Sequence, residues 1–90
     1  MSKVVYAQEW LESERNWGTR PDGYSLHPSP NLAKQFIQAY WDRMPDTAPD
    51  EYSRPIGVPF PVEVSDDLAE RIENTENKAI RHYGEEPSDI

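Results

Sequence analysis

Residues 29–45 read SPNLAKQFIQAYWDRMP. Ser29 and Pro30 make a helix start: the serine hydroxyl accepts from a free N–H of the first turn, and proline loses nothing where the N–H has no partner. Leu32, Ala33, Phe36, Ile37, Tyr40, Trp41 and Met44 follow at helical spacing as one broad apolar stripe, with Lys34, Gln35, Gln38 and Asp42 opposite. Pro45 ends the helix. The flanks of this helix decide the fold. Upstream, Val4 to Leu11 is rich in Val, Tyr and Trp and reads as a strand. Its two parities, Val5, Ala7 and Leu11 against Val4, Tyr6 and Trp10, are both partly apolar, which suits a strand covered on both sides. Glu12 to Thr19 is polar, Arg20-Pro21-Asp22-Gly23 fits a type I turn, and Tyr24 to His27 is the returning strand of a hairpin with a long tip. Downstream, Asp46 to Val58 is a proline-rich connection without periodicity, a length at which loops are often functional. Phe60, Val62 and Val64 then alternate with Pro59, Pro61 and Glu63. Two same-parity prolines leave one side of that strand without donors, so it is an edge strand.

Ser65 caps a second helix, with Asp66 and Asp67 in its positive first turn and Leu68, Ala69 and Ile72 as its apolar face. Asn74 to Asn77 ends it, and Ala79 to Tyr83 is a last strand. The order β-β-α-β-α-β is that of an α+β domain, a small antiparallel or mixed four-stranded sheet with two helices packed on it. The expected division is one domain over residues 1–84 and a flexible acidic tail over 85–90.

Composition narrows the function classes. A chain of 90 residues holds one domain with a small core. The mean hydropathy of −0.92 is low, but ten aromatics argue for a folded chain. The net charge of −8 argues against direct nucleic-acid binding and against anionic membrane surfaces. Residues 1–45 are neutral, so residues 46–90 carry all of it. With no cysteine there are no disulfides, thiolate metal sites or cysteine nucleophiles. No apolar run is long enough to span a bilayer, and MSKVVYAQEW lacks the apolar stretch of a signal peptide, so the expected location is the cytoplasm. The small core and the aromatic content together predict a homodimer or higher oligomer.

Three groups of residues could carry function. Trp17, Arg20, Asp22, Tyr24 and His27 crowd a turn that needs only Pro21, Asp22 and Gly23. Arg43, Tyr52 and Arg54 repeat that pattern around a second proline-fixed stretch. Arginine forks two hydrogen bonds onto phosphate or carboxylate, and Trp and Tyr offer flat faces to a planar group. Structurally, a hairpin with aromatic packing and an Arg–carboxylate pair explains the first group, and helix termination plus a rigid loop explains the second. The third group is acidic: Asp66, Asp67, Glu70, Glu73 and Glu76 recur near helical spacing. A solvated helix face accounts for them, and so does a surface that imitates a phosphate backbone, which Glu85, Glu86 and Asp89 would extend. No phosphate loop, nucleophile elbow or paired-histidine metal helix is present. His27 and His82 are far apart in sequence and read as half-exposed strand ends, so no metal or cofactor is assigned.

The run Glu14-Arg15-Asn16 into WGTRPDGYSLH, with YWDRMP and PDEYSRP, resembles a family of short hypothetical proteins from phages and bacteria. The resemblance covers roughly residues 5–64 and departs from the family pattern at Asn16 and at Pro28-Ser29-Pro30. It carries no activity and no site residue. It implies a small accessory protein of phage or prophage type, a setting in which small acidic proteins inhibit or sequester host defence components in the host cytoplasm. Two functions follow ahead of others. One is a non-enzymatic binder of a small anionic ligand, such as a nucleotide signal, through Trp17, Arg20, Asp22, Tyr24, His27, Arg43, Tyr52 and Arg54. The other is an acidic inhibitor that docks Asp66, Asp67, Glu70 and Glu73 on a basic, nucleic-acid-binding surface of a host protein. A small enzyme using Asp22, His27, Glu9 or Tyr24 as acid–base groups ranks third.

Overall fold

The computed structural model describes residues 2–14, 18–44 and 51–82. Its elements are β1 (Ser2–Glu14), β2 (Gly18–His27), α1 (Pro30–Arg43), β3 (Glu51–Ser65), α2 (Asp66–Glu73) and β4 (Ile80–His82). The strands form one antiparallel sheet in the order β3-β1-β2-β4. This is the α+β architecture expected, with the expected element order. The chain passes from β2 through α1 to β3 across one face of the sheet. It returns from β3 through α2 to β4 across the other.

Two-residue alternation along β1 assigns those faces. Val5 stands beside Val62, and Ala7 between Leu26 and Phe60. These side chains, with Val64, pack under Leu68, Ala69 and Ile72 of α2. Ser65 Oγ accepts from Leu68 N at 3.1 Å, and Asp66 and Asp67 occupy the first turn. Burying Leu68 and Ile72 contributes about 1.5–3 kcal/mol each, enough to hold so short a helix. The opposite parity of β1 puts Trp10 under α1, where it meets Phe36 and Tyr40 edge-on at 6.0 and 5.1 Å between centroids. α1 begins at the predicted cap, with Ser29 Oγ accepting from Leu32 N at 3.2 Å. β1 is therefore covered on both sides, as its two apolar parities require.

Three expectations need correction. Arg20-Pro21-Asp22-Gly23 is not a turn, because β2 already starts at Gly18 and these residues lie within it. Register shifts between Glu9 and Leu11, so that Trp10 faces both Asp22 and Gly23, and Gly23 takes a positive φ of 76°. The glycine makes a bulge rather than a reversal. Pro21 is tolerated because β4 pairs only with residues Tyr24 to Leu26, leaving the outer edge of β2 open there. Second, residues 51–58 of the expected connection belong to β3, while 46–50 lie outside the described residues. Pro55 and Pro61 face Trp10 and Tyr6 with their donor-less sides turned away from β1. β3 is the edge strand expected from its prolines, but three times longer than the alternation of Phe60 to Val64 indicates. Third, β1 extends beyond Val4 to Leu11 at both ends, and β4 starts at Ile80 rather than Ala79, with Tyr83 outside the described residues.

A second irregularity sits on the β3 side. Ala7 faces Phe60 but Glu9 faces Ile56, leaving Gly57 to Pro59 opposite Gln8 alone. Gly57 has φ 69°, and Val58 stands at the crest, 77% exposed. The fully buried Gln8 fills the gap, its Nε2 donating to Ile56 O at 2.8 Å and Glu9 O at 3.0 Å.

Candidate functional site

The hairpin register decides where the arginine and aromatic side chains point. Arg20 stands in one row with Glu12 and Ser53; Arg54 stands in the next row with Leu11 and Pro21. Adjacent rows face opposite sides of a sheet, so Arg20 and Arg54 do not share a pocket. Arg20 Nε donates to Glu12 Oε2 at 2.8 Å on the α1 side, an exposed pair contributing at most about 1 kcal/mol. Tyr52, half-buried, lies in the row of Ser13 and Thr19, on the same side as Arg54. Tyr24 is on the α2 side, edge-on to Phe60 at 6.1 Å. Arg43 ends α1 and is exposed. Trp17 lies outside the described residues.

Asp22 and His27 turn inward and join two polar networks under α1. In the first, Trp10 Nε1 donates to Ser25 Oγ at 2.8 Å. Ser25 Oγ is 2.8 Å from His27 Nε2, and His27 Nδ1 is 3.2 Å from Lys78 O. A carbonyl only accepts, so Nδ1 carries the ring proton and Nε2 accepts from the serine hydroxyl. The chain therefore has one direction, from indole to hydroxyl to imidazole to carbonyl. Ser25 and His27 are completely buried, so His27 is not the half-exposed strand end expected from the sequence. Burial pushes the His27 imidazole down to about 4, and the Lys78 carbonyl bond offsets only part of that. This hydroxyl–imidazole pair has the order of a nucleophile and its base. Phe36, 5.1 Å from the imidazole between centroids, and Trp10 lie against it, and neither Ser25 nor His27 exposes surface.

The second network ties four elements together. Tyr40 Oη donates to Ser53 O, Ser53 Oγ donates to Asp22 Oδ2, and Arg81 Nη2 donates to Asp22 O at 2.8 Å and Oδ2 at 3.0 Å. The Arg81 guanidinium also lies 5.0 Å above the Trp10 ring, a cation–π contact. Burial raises the Tyr40 phenol above its ordinary value. Sequence reasoning missed Gln8, Ser25, Ser53, Lys78 and Arg81. The usable signal was Gln8 and Ser25 as polar residues at inward positions of strands facing an apolar helix stripe.

The acidic residues remain outside. α2 carries four acids against one base within eight residues. Asp66, Glu70 and Glu73 line one wall of a groove of about 250 Å³; Lys3, Val4, Val5 and Pro28 form the rest, over Ala69. Among the described residues, no ion pair joins Lys3 to these carboxylates, and Asp66 Oδ1 is buried without a hydrogen-bond partner. Asp67 is exposed alongside. The groove is a largely apolar trough with one acidic wall and Lys3 on the other side, a shape that takes an aliphatic stem ending in a cation. Also among the described residues, no three His, Asp or Glu side chains are placed to hold a metal ion, and no helix is long and apolar enough to cross a membrane.

Compared with known proteins, the chain matches no family model, no curated protein and no solved structure.

Proposed function

We propose that the chain is a small non-enzymatic docking protein that lays the acidic face of α2 on a basic surface of another protein. One observation carries the reading: the groove of Lys3, Val4, Val5, Asp66, Ala69, Glu70 and Glu73 pairs an apolar floor with three carboxylates, of which, among the described residues, only Glu73 is ion-paired, with Lys78 at 4.0 Å. An incoming arginine or lysine would rest its methylenes on Val4, Val5 and Ala69 and its head group between Asp66, Glu70 and Glu73. The charge of −8 adds long-range attraction toward a positive partner. A basic nucleic-acid-binding protein of a host cell fits this chemistry and the phage-type resemblance. The alternative of a small anionic ligand held by Arg20, Arg54 and their aromatic neighbours has less support, since these side chains lie on opposite sheet faces.

The test is calorimetry with an arginine-rich peptide. Affinity is expected to fall by orders of magnitude between low and high salt, because attraction between exposed charges is screened over about 8–10 Å at ordinary ionic strength. Changing Asp66, Asp67, Glu70 and Glu73 together to Lys is expected to abolish binding, while Arg20→Ala leaves it unchanged. Binding that survives the fourfold reversal refutes the proposal. We extend the same reading to a homodimer, since Trp41 and Val58 are exposed apolar side chains outside that groove. Light scattering at twice the chain mass of 10.4 kDa supports the dimer, and a strict monomer refutes it.

A further inference from the structure

A second concave site lies on the other side of the molecule, between α1 and the turn that follows α2. It is an open concavity of about 200 Å³ lined by the half-buried Leu32 and Phe36 and the exposed Gln35, Ala39, Arg43 and Asn77. Leu32, Phe36, Ala39 and Arg43 follow one another at four-, three- and four-residue steps, so they form one line along the helix. Side chains on a helix lean toward its N-terminus, which carries Arg43 back over Ala39. Ala39 is the gap in that line: its methyl leaves the space between the Phe36 ring and the guanidinium. Gln35 and Asn77 supply amide groups on the rims. The lining holds one cation and no acid, in a chain whose net charge is −8. Among the described residues Arg43 makes no ion pair.

We propose that this cleft binds a small apolar carboxylate, its hydrocarbon or aromatic part on Leu32, Phe36 and Ala39 and its carboxylate on Arg43 with help from the Gln35 and Asn77 amides. The occupant is a free small molecule of limited size: about 200 Å³ admits one ring or short chain with its carboxylate, less than the roughly 300–1,000 Å³ of sites for drug-sized ligands. The apolar floor selects against strongly hydrated anions such as inorganic phosphate, which would lose water without replacement. The single guanidinium favours a monoanion over a polyanion. The site is independent of the acidic groove and shares no residue with it.

Phenylacetate and its neutral amide, phenylacetamide, are the probes, titrated against the full chain while the side-chain amide signals of Gln35 and Asn77 are followed by NMR. Phenylacetate is expected to shift both signals saturably. Phenylacetamide is expected to bind about tenfold or more weakly, the loss of one charge-assisted contact. Arg43→Gln is expected to bring phenylacetate down to the affinity of the amide. Ala39→Leu fills the gap at an exposed helical position with a good helix former and is expected to abolish both. No saturable shift up to about 10 mM, well above the millimolar affinity that corresponds to about −4 kcal/mol, overturns the proposal. Equal affinity for the two probes overturns it as well, as does binding that persists in Ala39→Leu.

Discussion

Acidification is expected to weaken this fold through His27. In the unfolded chain a histidine takes its proton near pH 6.5. In the folded chain burial pushes His27 down to about 4. Protonation there would place an N–H at Nε2 against the Ser25 hydroxyl, which already receives Trp10 Nε1 at 2.8 Å. Only the unfolded state therefore binds this proton between those two values. The stabilisation is fully present above about pH 6.5 and is lost as pH falls from there toward 4. The difference in proton affinity corresponds to about 3 kcal/mol at 1.36 kcal/mol per pH unit. That is a large share of the roughly 5–15 kcal/mol that holds a typical domain. Urea unfolding followed by tryptophan fluorescence, from about pH 7.5 down to about pH 4, would measure it in the wild type and in His27→Gln. The variant starts less stable, since it breaks the Ser25–His27–Lys78 chain, but it lacks the titrating ring. All other groups are common to both proteins and cancel in the difference. The wild-type curve is expected to fall more steeply, the two converging by about 3 kcal/mol. Parallel curves would refute the reasoning.

Ser25→Ala leaves the buried Trp10 Nε1 and His27 Nε2 without partners and is expected to cost about 2–4 kcal/mol, read as a drop of roughly 10–25 °C in Tm. Lys78 adopts φ 53° without being glycine, so Lys78→Gly is expected to stabilise by about 0.5–1 kcal/mol in chemical denaturation, after loss of its exposed contact with the Glu73 carbonyl. Changing Pro55 and Pro61 to Val restores two donors on the outer edge of β3 and is expected to produce concentration-dependent association in light scattering, with little change in the monomer's circular dichroism.

Local signals were the legible ones. Ser29 with Pro30, and Ser65 with Asp66 and Asp67, identify both helix starts because capping depends on neighbours within one turn. The edge position of β3 was legible from Pro59 and Pro61, because a missing donor is a property of the residue itself. Its length was not. Pro55 and Gly57 read as loop until β1 is placed beside them, when Pro55 turns outward and Gly57 becomes part of a bulge. Arg20-Pro21-Asp22-Gly23 suits a turn or a bulged strand equally well in isolation, and pairing with Leu11 and Glu12 selects the strand. That choice also separates Arg20 from Arg54. In the sites, the acids of α2 were visible because helical spacing groups them on one side. The groove they line was not, because Lys3 and Val4 come from the far end of the chain. The buried networks were the least legible: Ser25, Ser53 and Arg81 carry no periodic signal, and their partners lie as far as 59 positions away.

The acidic groove is the centre of the functional account, and mapping backbone amide shifts while an arginine-rich peptide is titrated at low salt tests it most directly. The account predicts that the largest shifts fall on Lys3, Val4, Val5, Ala69, Glu70 and Glu73, and that they disappear at high salt. Shifts concentrated around Arg20 on β2 and Arg54 on β3, or spread evenly over every exposed acid, would contradict it.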